Sequence, residues 1–139
     1  MQLFSFDSGV YLLEIFVFKP LKIEVGARGK EVFRSGYYYY SGTAQKNLNA
    51  RLERHKQKFV NKHWHIDYLL EKTVLYDIYA WQGSAALECK LAEELLAIEN
   101  VEIYNSGFGA SDCSCEAHLL HSKEKLSEDT IEELVVDEE

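Results

Sequence analysis

Apolar and polar positions divide the chain into short segments with two different periods. Gly9 to Phe18 is an almost unbroken apolar run, rich in β-branched and aromatic residues, and reads as a strand. Glu14 is its single charge, and Pro20 ends it. Lys22 to Val25 predicts a second short strand, Gly26 to Gly29 a turn, and Lys30 to Arg34 a returning strand. Gly36 to Ser41 is a further strand, ended by Gly42 and Thr43, and it holds four consecutive tyrosines. A strand alternates its faces, so Tyr37 and Tyr39 point one way, and Tyr38 and Tyr40 the other. Ala44 to Phe59 has helical spacing, and Asn61 to Leu70 reads as short helical or irregular structure. Thr73 to Trp81 is again a strand. Ser84 is the N-cap of a helix running to about Ile98, with Glu88 in its first turns. Glu102 to Tyr104 predicts a short strand and Gly107 to Cys115 a loop. Ser127 caps a tail helix, with Glu128 and Asp129 at its positive end. Strands, helix, strand and helix in this order predict an α+β fold, a small, mostly antiparallel sheet flanked by helices. The expected division is a domain over residues 1–122 and an acidic, helical tail over 123–139.

The 139 residues, 47% of them hydrophobic, suffice for one domain with its own core. No apolar run reaches the ~18 residues that would span a bilayer. The first residues show neither a basic region nor a small-residue cleavage site, so the expected location is cytoplasmic, away from membranes. Three cysteines are too few for a disulfide framework, and Cys113 bonded to Cys115 would close a strained ring. The net charge of -8 argues against nucleic acid as a partner, but its distribution changes that. Glu116 to Glu139 holds nine acids against two bases, whereas Lys46 to Lys62 holds six bases against Glu53 alone. An acidic tail therefore masks a basic segment, which is either a solvated helix face or a surface for phosphates.

Three polar groups stand on apolar helical faces. In the first helix Ala44, Leu48, Leu52 and Phe59 form one stripe at 100° per residue, and Arg51 and His55 fall on it, one turn apart. An inward cation is either a structural arginine with a snorkelling stem or a site residue. In the later helix Leu87, Leu91, Leu95 and Ile98 form the stripe, with Glu88 in it. An inward carboxylate is paired, protonated or bound to a metal. A salt bridge to Arg51 would explain both charges, and so would an active site.

These residues resemble the GIY-YIG nuclease superfamily. Its two naming tripeptides appear as Gly9-Val10-Tyr11 and Tyr40-Ser41-Gly42, its helical arginine as Arg51 in ARLERH with His55 one turn on, and its glutamate as Glu88 in LECKLAEEL. A downstream asparagine matches Asn105 in IYNSGFG. Val10 and Ser41 replace isoleucine at the middle positions. Tyr11 and Tyr40 lie 29 positions apart, so an additional hairpin is implied between the tripeptides. KHWHIDYL from Lys62 and GFGASDCSCEAHL from Gly107 look like the Uri-type branch of small stand-alone endonuclease-like proteins.

The resemblance implies a metal-dependent endonuclease that hydrolyses phosphodiester bonds in DNA, in repair or recombination. Glu88 would hold one Mg2+ or Mn2+, Arg51 would pair with phosphate oxygens, and Tyr11 would take up or pass on a proton, supported by Tyr40. His55 would contact phosphate or relay the proton. Lys46, Arg54, Lys56, Lys58 and Lys62 would track the backbone of DNA, or of RNA. Gly42, His63, His65, Asp67, Asn105, Cys113, Cys115 and His118 would support the site. Two other readings stay open. One is a binding-only subunit of a repair complex on the same fold. The other is a zinc site on Cys113, Cys115, His118 and His121, whose spacing is tighter than that of usual zinc ligands. The opposite charges also raise the expectation that the tail shields the basic helix.

Overall fold

A computed structural model describes residues 4–24, 30–57, 65–84, 86–103 and 119–134, with only the backbone described at His65 and Asp67. Its first strand, β1 (Gly9–Val17), is an interior strand of the sheet and buried on both faces, which is why its sequence is apolar almost throughout. The other elements are β2 (Leu21–Glu24), β3 (Lys30–Phe33), β4 (Gly36–Ala44), α1 (Leu48–Lys56), α2 (His65–Glu71), β5 (Val74–Trp81), α3 (Ala86–Leu96), β6 (Glu102–Ile103), β7 (Leu119–Ser122) and α4 (Glu128–Glu132). Five strands form one sheet in the order β5-β1-β4-β7-β6, with every pairing antiparallel. β2 and β3 form a separate two-stranded ribbon, the hairpin that the spacing of the two tyrosines implied. The α+β architecture expected from the sequence is the one observed.

The sheet carries a core on each face. Tyr11, Leu13, Ile15, Tyr38 and Tyr40 pack with Leu48 and Leu52 of α1 and with Ile66 and Leu69 of α2. Val10, Leu12 and Tyr39 pack with Leu87, Leu91 and Leu95 of α3, and with Ile131 and Leu134. The tyrosine run thus serves both layers, as its alternation requires.

Three local outcomes differ from the expectations. Ala44 ends β4 opposite Gly9, so α1 begins later than Ala44. Its start is fixed from a distance: the Asp7 backbone oxygen accepts from Leu48 N at 3.1 Å, and Asp7 Oδ1 accepts from Asn49 N at 2.9 Å. The described part of the tail packs on the sheet, with Leu126, Ile131 and Leu134 joining the second core. That core lies on the face opposite α1, so the described part of the tail does not cover the basic helix. Ser127 caps α4 as expected, accepting from Thr130 N at 3.1 Å. Finally, Cys89 on α3 is disulfide-bonded. Sequence counts carry no information about which thiols meet in space.

Candidate active site

β1 and α1 bring Tyr11 and His55 together. Tyr11 lies on the face of β1 that α1 covers, and His55 occupies the last turn of α1, on the buried side with Leu48 and Leu52. The Tyr11 hydroxyl and His55 Nε2 are 3.1 Å apart, with ring centroids separated by 5.5 Å. Each residue is only 3% exposed. A phenol hydrogen-bonded to an imidazole away from bulk water can pass a proton in either direction, according to the tautomer of the ring.

Gly42 makes room for this pair. It faces Tyr11 across the β1–β4 ladder, and a Cβ there would lie 2.5 Å from both Cζ and the hydroxyl oxygen of Tyr11. The glycine of the second tripeptide is therefore required by the tyrosine of the first. Tyr40, opposite Leu13 on the same face, is buried beside them. Arg51, one turn before His55, donates from Nη1 to the Thr43 carbonyl at 2.7 Å, which fixes its guanidinium at the residue following Gly42. Tyr11, Tyr40, Gly42, Arg51 and His55 thus collect where β1, β4 and α1 meet.

Glu88 is placed differently. It is 4% exposed on α3, a buried carboxylate as its stripe predicted, but the leucines of that helix pack on the other face of the sheet. A single carboxylate is the hard oxygen donor that Mg2+ or Mn2+ takes while keeping most of its water. Among the described residues no group of three or more His, Cys, Asp or Glu side chains is arranged to hold a metal. Lys46 is exposed, and Arg54 and Lys56 are half-buried on α1, with Lys56 Nζ 3.8 Å from Glu53. Lys58, Lys62, His63, Asn105, Cys113, Cys115 and His118 lie outside the described residues, as do the side chains of His65 and Asp67.

His121 has protein partners at both ring nitrogens. Its Nε2 donates to the Ser35 carbonyl at 2.9 Å, and its Nδ1 lies 3.3 Å from Arg34 Nη2 as an acceptor. Burial is the main cause that lowers its pKa, and the resulting neutral ring, protonated at Nε2, suits both contacts. Arg34 in turn pairs with Glu102.

Sequence reasoning passed over a polar cluster on the second face. Glu14, fully buried, accepts from the Tyr39 hydroxyl at 2.7 Å, and that hydroxyl accepts from Leu126 N at 2.9 Å. Lys125 Nζ is 3.7 Å from Glu14 Oε1 and 5.4 Å from the centre of the Tyr76 ring. Burial raises the pKa of Glu14 despite Tyr39 and Lys125, and burial also raises that of Tyr39. The signal was present as the one charge in an apolar strand, but its partners are distant in sequence.

The model of one protein family, described as Domain of unknown function DUF123, matches residues 10–137. Among curated proteins and among solved structures nothing matches the chain.

Proposed function

The chain belongs to the DUF123 family, and from that premise we propose that it is a metal-dependent endonuclease hydrolysing phosphodiester bonds in DNA, on a fold of the GIY-YIG type. The observation that carries this reading is the buried Tyr11–His55 hydrogen bond, with Gly42 beneath the phenol and Arg51 held one turn away. Arg51 has the planar fork that pairs with two phosphate oxygens. Tyr11 would draw the proton from the attacking water, and His55 would receive it. Tyr40 packs the phenol into place. Lys46, Arg54 and Lys56, with Lys58 and Lys62 beyond the described end of α1, would neutralise neighbouring phosphates. By the resemblance alone Glu88 would hold the divalent ion, which when bound would supply charge neutralisation at the phosphate; the leucines of its helix pack on the other face of the sheet.

A screen of branched, nicked and plain DNA with Mg2+ or Mn2+ tests the proposal. Cleavage by the wild type should disappear in Arg51→Ala and Glu88→Gln, with circular dichroism unchanged. Cleavage that survives in Arg51→Ala would sink the assignment.

One observation favours a second reading, a protein that binds nucleic acid without cutting it. The helix bearing Glu88 packs through Leu87, Leu91 and Leu95 on the face opposite Tyr11 and His55. Salt-dependent retention of DNA, with no cleavage in either metal on any substrate, would select this reading.

A further inference from the structure

Beside the Tyr11–His55 pair lies a cleft of about 410 Å3 with His55 and Lys56 on one side, Leu70, Val74, Leu75 and Ile78 as its aliphatic walls, and Tyr76 and Asp77 completing the lining. Its volume falls in the ~300–1,000 Å3 range of small-molecule sites. Half of the lining is aliphatic, Tyr76 adds an aromatic ring and Asp77 a polar edge, so the cleft suits a flat body that is apolar on its faces and hydrogen-bonding at its rim. Lys56, half-buried at the end of α1, supplies a cation next to it. β5 is the outer strand of the described sheet, so its outer edge offers backbone donors and acceptors to the polar rim of such a body.

A regular duplex has nothing to place there. It keeps its bases stacked inside and presents phosphates, which the basic side chains of α1 already suit. A base that has left the stack is flat, largely apolar on its faces and hydrogen-bonding at its edges. It also remains attached to the phosphate that would lie at Arg51 and His55. We propose that this cleft receives an unpaired nucleobase adjoining the phosphate to be cut, so that the site selects DNA carrying an extrahelical nucleotide over plain duplex. The inference rests on the nuclease reading, because it shares His55 with it. An extended peptide added along β5 is the competing occupant.

The test is binding without added metal, in the presence of chelator. Two fluorescent duplexes are compared that are identical except for one extrahelical 2-aminopurine. The wild type should bind the bulged duplex about tenfold more tightly, the scale of one buried or stacked base, and the fluorescence of the analogue should change on binding. Leu75→Trp, which fills the cleft from a half-buried wall, should bring the bulged duplex to the affinity of the plain one and abolish the fluorescence change. Val74→Trp, at a position 55% exposed, provides a second filling variant if the first does not fold. Equal wild-type affinity for the two DNAs, or a preference that filling the cleft does not alter, overturns the cleft as a base site and leaves the nuclease reading standing. Binding to neither DNA overturns both.

Discussion

Gly42→Ala isolates the close approach on which the Tyr11–His55 pair depends. Among the described glycines only Gly9 and Gly36 have positive φ, so alanine at position 42 meets no backbone strain. The cost is steric. A Cβ would sit 2.5 Å from Cζ and the hydroxyl oxygen of Tyr11 and 2.9 Å from Cε1. Carbon atoms pack at about 3.5–4.0 Å, so the ring must move by roughly 1 Å. It has little room, being 3% exposed and hydrogen-bonded to His55. Overpacking of this kind costs about 1–3 kcal/mol, or a fall in Tm of about 3–5 °C per kcal/mol for a chain of this size. The assay is thermal and denaturant unfolding of four proteins: wild type, Gly42→Ala, Tyr11→Ala and the double variant. In the Tyr11→Ala background the clash is gone, and Gly42→Ala should become neutral or stabilising by about 0.4–1 kcal/mol through the unfolded chain. The same loss in both backgrounds would refute the claim that Gly42 exists to admit the Tyr11 ring.

Glu14→Gln tests the buried carboxylate through pH. The folded pKa of Glu14 is raised above its usual 4.5, so its contribution to stability is fully present below that value and is lost as pH rises through the folded pKa. Glutamine still accepts from Tyr39, so the variant should melt higher than the wild type at neutral pH and lose that part of the pH slope; superimposed Tm–pH curves contradict this. Ile131→Ala should cost about 2–5 kcal/mol as a core truncation, because Ile131 is fully buried. A change within 0.5 kcal/mol, the ~±0.5 kcal/mol scatter of ordinary surface substitutions, would mean that the C-terminal segment is not part of the core.

The elements that local pattern encodes were legible, and those that distant contacts create were not. β1 shows itself by its apolar run, and the Arg51–His55 pair by its place on an apolar helical stripe. The hairpin of β2 and β3 follows from Gly26 and Gly29 between short alternating segments. β7 was missed because Leu119–Ser122 is buried at all four positions and shows no alternation; its pairing with β4 and β6 defines it. The N-terminal boundary of α1 was missed because Asp7, some forty residues earlier, satisfies its first N–H groups. The packing of Leu126, Ile131 and Leu134 was hidden among the acids around them. At the site, the sequence identified Tyr11, Tyr40, Arg51 and His55 as neighbours. It did not reveal that the helix carrying Glu88 packs on the opposite layer, since helical periodicity specifies which side of α3 is buried and not which face of the sheet buries it.

Whether the Tyr11 hydroxyl takes part in phosphodiester hydrolysis is read most directly from single-turnover cleavage by Tyr11→Phe beside the wild type. The substitution removes one oxygen and keeps the ring over Gly42, so the fold and the DNA affinity should persist. The rate should fall by about 10^2–10^4-fold, the usual worth of a positioned proton-transfer group. Cleavage by Tyr11→Phe at the wild-type rate would contradict a role for the hydroxyl.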